Sequence, residues 1–224
     1  MNILLIAGHG AGDPGAVKNG YKEAELTREL VAILKTQLSN YATVDVFDTT
    51  KNMYTYLKNG NTYNFKKYAY VFEVHFNDFI TVSHGTEILI HNTEKGNSVE
   101  QKILNNICAL GFKNRGIIPR GDLLVMNTVK KKYGVSHALL ETCFINSATD
   151  MKRYVDNKHK VAEAICKGIV DGFGLTQTAN TTSVEKAVDK LVKAGIINTP
   201  DYWLKTAKSV KHLDTLIIKF ANAL

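Results

Sequence analysis

The chain has 224 residues, 45% of them apolar, and a formal net charge of +7. That length suits one ordinary domain with a small appendage, and no window approaches the roughly 18 apolar residues of a membrane span. The positive charge favours an anionic partner such as a polyanionic cell wall or an anionic lipid surface; nucleic acid is the weakest candidate, because no DNA- or RNA-binding motif is present. Three cysteines, Cys108, Cys143 and Cys166, have no metal-knuckle spacing and read as small buried hydrophobes of a chain folded in a reducing compartment. The apolar run at residues 3–7 is too short for a signal-peptide core and has no basic segment before it, so synthesis in the cytoplasm without a signal peptide is expected.

In chain order, residues 3–7 read as a short buried strand. They run into a loop, residues 8–15, with four glycines and a proline, where Asp13-Pro14-Gly15 is turn chemistry. An amphipathic helix follows over 23–38, with Leu26, Leu30, Ile33 and Leu34 on its apolar side. Strands are expected at 43–47, 70–76, 85–91, 122–126 and 135–142. Helices are expected at 52–66, interrupted near Asn59-Gly60-Asn61, at 94–110, and at 150–173 as a short helix followed by a longer one. Alternating strands and helices predict an α/β fold, a mostly parallel twisted sheet flanked by helices, over residues 1–175. Residues 176–182 form a polar linker. Residues 183–224 predict a small all-helical C-terminal module, with Ser183 as the N-cap of its first helix and breaks at Gly195 and Pro200.

Four residues stand out chemically. His9 sits at the mouth of the glycine loop and Glu23 in the first turn of the following helix, so one loop can bring them together. His75 ends a strong strand, and in a parallel sheet the strand ends form one edge where sites collect. Two histidines and a carboxylate make the ligand set of a hydrolytic zinc ion that keeps its fourth position open. Glu25 competes with Glu23, but it lies about 200° further round the helix, so both cannot face one ion. Glu141 ends an otherwise apolar strand, which is costly unless the carboxylate has a partner or a task; a pairing with Arg120 or a backbone donor is the structural alternative.

Gly8-His9-Gly10, Asp13-Pro14-Gly15-Ala16, Gly20 with Glu23, His75 with Asn77, and Leu139, Glu141, Phe144 and Ile145 occur in a characteristic order. On these residues the chain, to about residue 175, resembles the zinc-dependent N-acetylmuramoyl-L-alanine amidases of autolysins and phage endolysins, the amidase_3 family. The resemblance implies one Zn2+ held by His9, Glu23 and His75, with Glu141 as the catalytic residue. It implies hydrolysis of the amide between N-acetylmuramic acid and the L-alanine of the peptidoglycan stem peptide. It favours Glu23 over Glu25. Where the family has a small polar residue two before the second histidine, this chain has Glu73; it shares a face with His75 and is either a partner orienting that imidazole or a salt-bridged carboxylate. Two rival readings are a zinc peptidase acting within stem peptides and a non-catalytic wall-binding protein. A wall substrate further implies that the protein reaches it after holin-type release or cell lysis.

Around this set, Asn77, His84, Arg115 and Arg120 are candidate substrate-binding residues, the two arginines because a fork of N–H donors suits a peptide carboxylate. His137 shares a face with Glu141, while Lys130-Lys131-Lys132 reads as a solvated run. The tail resembles small helical modules at the ends of clostridial and bacillary wall and prophage proteins, through Gly195-Ile196-Ile197, Pro200-Asp201-Tyr202-Trp203 and Leu213-Asp214-Thr215-Leu216-Ile217. Its seven lysines against four acids suggest binding to anionic wall polymers. Trp203 beside Tyr202 is expected to anchor its small core, the alternative being stacking on a sugar.

Overall fold

The computed structural model describes residues 1–94, 96–176 and 184–224. The chain divides into two compact units, Met1–Thr176 and Gln177–Leu224. The first is built on β1 (Asn2–Ala7), a run whose last five residues are buried because both faces of the sheet are covered there. The glycine loop leads into a two-strand hairpin, β2 (Val17–Lys18) and β3 (Tyr21–Lys22), turned by Asn19-Gly20 with both residues at positive φ. Helix α1 (Glu23–Leu38) starts at once and buries Leu26, Leu30, Val31, Leu34 and Leu38. Then come β4 (Thr43–Val46), the short α2 (Met53–Lys58) and β5 (Tyr70–Asn77). They are followed by β6 (Thr86–His91), α3 (Ser98–Cys108), β7 (Asn114–Arg120), α4 (Leu124–Asn127), β8 (Ser136–Phe144) and α5 (Ala148–Phe173).

The six-stranded sheet has the order β4-β1-β5-β8-β6-β7. The first four strands run parallel; β6 is antiparallel to β8, and β7 is parallel to β6. One face, with Ile3, Leu5, Phe72, Val74, Ala138 and Leu140, packs under α1, α3 and α5. The other carries Leu4, Ile6 and Val71 against Met53, Phe65 and Val125. Because β6 runs backwards, the C-terminal ends of β1, β5 and β8 meet the N-terminal ends of β6 and β7 along one edge.

The expected strand at 122–126 is replaced by β7 at Asn114–Arg120, followed by a turn and α4. Pro119 lies within β7, and β7 is the sheet edge, where a missing N–H is tolerated. The apolar run Leu123–Met126 is too short for its period to tell strand from helix. The 94–110 helix begins only at Ser98, and helix 52–66 is one short α-helix and a separate 3-10 turn, Phe65–Lys67. Helix α5 breaks its geometry at Asn157, which accounts for the two-helix expectation, and ends on Gly174 in the left-handed region.

The second unit contains α6 (Val184–Lys193), α7 (Pro200–Ser209) and α8 (Leu213–Asn222). They enclose Ala187, Val188, Leu191, Ala207, Ile217 and Ala221, with Trp203 partly buried against them. The Ser183 cap and residues 177–182 of the expected 176–182 linker lie outside the described residues.

Candidate metal centre

His9 leaves β1 in the left-handed region, with φ 61°, a costly conformation for a side-chain-bearing residue. Arg28 on α1 holds it there: its two terminal nitrogens donate to the carbonyls of Gly8 and His9, each at 3.0 Å. Thr27 donates to the Gly8 carbonyl as well. Two glycines are required by contact. A Cβ on Gly8 would lie 2.3–2.6 Å from the His75 ring, and one on Gly15 would lie 2.7 Å from both Glu23 Oε2 and the His9 ring. The loop folds back so that Ala16 donates to Glu23 Oε2 and the Phe76 amide donates to Glu23 Oε1. Glu23, the first residue of α1, is only 4% exposed.

The structure brings His9, Glu23 and His75 together, one atom from each within 4.8 Å of the others. His9 Nε2 is 3.1 Å from Glu23 Oε2, and His75 Nδ1 is 3.0 Å from Glu23 Oε1. Those spacings approach the roughly 3.3 Å that separates ligands on a tetrahedral ion with bonds of about 2.0 Å. Each imidazole has its other nitrogen braced: His9 Nδ1 by Asp13 Oδ2 at 2.8 Å, His75 Nε2 by Glu73 Oε1 at 3.1 Å. Asn52 in turn donates to Asp13, and buried His137 bonds Glu73 Oε2 at 3.1 Å. A carboxylate on the far nitrogen fixes the tautomer and aims the free lone pair, the arrangement expected of metal-ligating histidines. The donor set therefore fits a single divalent ion. Glu25 is exposed and pairs with Lys22.

Charge follows the same geometry. Burial works against the Glu23 carboxylate, but hydrogen bonds from His75 and His9 prevail and hold its pKa well below the usual range. Burial likewise opposes charge on Glu73, yet His137 and His75 bring it down to about 2. Burial depresses both ligand imidazoles; bonds to Glu23, with Asp13 for His9 and Glu73 for His75, reverse this and raise them above their ordinary value.

Glu141 is the neighbour of His75 across the β5–β8 pair. Its Oε2 is shielded from solvent and has no hydrogen-bond partner among the described residues. Burial pushes this carboxyl up to about 7; the His75 charge resists, and Glu23 and Glu87 add to the rise. The pairing of Glu141 with Arg120 does not occur: Arg120 grips Asp122 through Nε at 2.8 Å and Nη2 at 2.6 Å. Asn77 donates to Glu87 Oε1 at 2.8 Å, and Arg115 Nε donates to Glu87 Oε2 at 2.7 Å. His84 sits on Ser147 Oγ at the start of α5. A cleft of about 440 Å³ opens beside the centre, lined among others by Gly8, His9, Asp13, Tyr54, His75 and Leu124.

Glu87 and Arg28 are the functional neighbours that sequence reasoning passed over. Glu87 gave the same signal as Glu141, a carboxylate in an apolar strand. Arg28 gave none, since an arginine on an amphipathic helix reads as solvated.

Residues 3–171 match the family model described as Amidase_3, N-acetylmuramoyl-L-alanine amidase. The chain belongs to this amidase family. Among curated proteins it is similar to "Probable autolysin PH" of Staphylococcus aureus (strain NCTC 8325 / PS 47), 26% identical over an alignment of 212 residues, with coverage of 86% of this chain and 43% of that protein. The chain thus spans less than half the length of that relative. Among solved structures it shares the fold of the N-acetylmuramoyl-L-alanine amidase from Clostridium difficile 630, with TM-score 0.63, 18% identity, and coverage of 77% of this chain and 96% of that one. It is similarly close to the amidase AmiC2 of Nostoc punctiforme, with TM-score 0.62, 17% identity, and 78% and 97% coverage. The family match, residues 3–171, lies within the first unit.

Proposed function

We propose that the protein is a zinc-dependent peptidoglycan hydrolase that cuts the amide between N-acetylmuramic acid and L-alanine. The observation that carries this reading is the triad His9, Glu23 and His75, each imidazole braced by its own carboxylate, in a chain of this amidase family. His9 Nε2, His75 Nδ1 and the Glu23 carboxylate would hold the ion. When bound, the ion supplies Lewis acidity toward a water and the scissile carbonyl. Zinc suits two imidazoles and a carboxylate with an open position better than a hard cation that prefers all-oxygen shells.

Glu141 takes the proton of the attacking water and returns it to the leaving amine. In the metal-free site burial lifts this carboxyl to about 7, and its Oε2 has no partner among the described residues, so the group is placed to accept and release a proton. Asp13 and Glu73 keep the ligand imidazoles aimed. The second unit, with seven lysines against four acids, is the part we assign to anionic wall polymers.

The deciding experiment is mass spectrometry of purified peptidoglycan after digestion in the presence of zinc. The expected product is a free L-alanine amino group with intact glycan strands. New ends inside the stem peptide would replace this reading with a zinc peptidase. No new ends on walls of several chemotypes would replace it with a wall-binding protein.

A further inference from the structure

Three functional side chains lie in a row across adjacent strands, and the row continues past the chemistry just described. His75 on β5 is registered with Glu141 on β8, and Glu141 with Glu87 on β6. Opposite Glu87 the β6–β7 pairing slips between Thr86 and Ile88, so that Arg115 and Gly116 share one partner. Gly116 takes φ 98° in this bulge and donates to the Asn114 side chain. Glu87 is 8% exposed and fully engaged, by Asn77 on one oxygen and Arg115 on the other. Arg115 is engaged only in part. Its Nε bonds Glu87, and its guanidinium lies 4.8 Å from the centre of the Phe144 ring. Neither of its terminal nitrogens donates to a described residue, and the side chain is 33% exposed. Arg120 differs in just this respect, its fork being closed by Asp122.

We propose that Arg115 is a specificity-determining residue that binds a carboxylate of the stem peptide on the leaving side of the scissile amide, at the residue after L-alanine. The proposal rests on the amidase reading above and gives that substrate a direction. The carbonyl lies at the triad, the leaving nitrogen at Glu141, and the peptide runs outward along the row toward β7. Two strand spacings, about 10 Å, separate the backbones of Glu141 and Arg115. Two extended peptide residues reach roughly 7 Å and an arginine side chain covers the rest. Glu87 and Phe144 hold the guanidinium so that little rotamer freedom is lost when its remaining N–H groups form a bidentate bond. A charge-assisted pair of that kind is worth at least about tenfold in binding.

The test uses the full chain, with zinc supplied, on two soluble muropeptides. They differ only in whether the residue after L-alanine carries its α-carboxyl as carboxylate or as carboxamide. The wild-type protein is expected to prefer the carboxylate by at least about tenfold in kcat/KM, mainly through KM. Arg115→Met should erase the preference, and Arg115→Lys should restore part of it, since the charge returns without the fork. A merely structural arginine would lower both substrates alike and leave their ratio intact. If Arg115→Met fails to fold with Glu87 stranded, the double variant with Glu87→Gln removes that charge and should show no preference. Equal wild-type rates on the two substrates, or a preference that survives Arg115→Met, overturns the carboxylate site while leaving the amidase reading in place. No release of an L-alanine amine from either substrate overturns both.

Discussion

The His75 ring packs flat against the space where Gly8 has no side chain, and this sets the tolerance of the centre. A methyl at Gly8 would meet the ring at 2.3–2.6 Å, so one of the two strands must shift. Gly8→Ala is expected to lose metal binding by at least about tenfold and lower the melting temperature, checked by chelator competition and calorimetry. Glu141 supports a prediction of opposite sign. Its folded pKa, about 7, lies above its ordinary 4.5, so the stability it lends is fully present below about pH 4.5 and lost as pH rises through 7. In metal-free protein, Glu141→Gln should raise stability at pH 8 by up to about 3 kcal/mol and change little at pH 4; denaturant melts at the two pH values decide it. With zinc present the same variant should bind the ion and release no product. His9, His75 and Glu141 could be singled out locally, as histidines in a glycine loop and at a strand end and a carboxylate ending an apolar strand, whereas Glu23 was chosen over Glu25 through the family resemblance. Glu87 broke the same pattern without being read. Its importance comes from register across strands far apart in sequence, which no local pattern encodes.

At the scale of elements, the centre is held by α1 as much as by the strands. Arg28 reaches back from its second turn to the loop carbonyls and also donates to Thr49, tying the His9 loop to the chain after β4. Arg28→Met should leave the sheet intact yet weaken metal affinity roughly tenfold or more by freeing the strained His9 backbone. Far-ultraviolet circular dichroism together with metal titration would show the two effects apart, and unchanged affinity would remove Arg28 from the site. The elements that sequence placed correctly carry an unbroken signal: continuous apolar or aromatic runs in β1 and β5, and long helical periods in α1 and α5. The misplaced one, β7, is an edge strand carrying a proline and a bulge, features that suppress the alternation by which strands are recognised.

For the whole molecule, the wall-binding role proposed for the second unit is tested by removing its helices. Deleting residues 183–224 should weaken pelleting with whole walls several-fold while sparing hydrolysis of soluble muropeptides. Equal pelleting by the shortened chain would reject a wall-binding role. The fold class was readable from alternating strands and helices; the strand order was not, because it depends on which edge each new strand finds. That order has a temporal consequence. Strand β8 is the last to be synthesised, yet it lies in the middle of the sheet, between β5 and β6. Until it inserts, the parallel half and the β6–β7 pair are separate ribbons. The chain up to His75 holds every proposed ligand, but the proposed proton carrier arrives only with the strand that closes the gap. All four residues of the proposed site therefore come together only in the finished sheet.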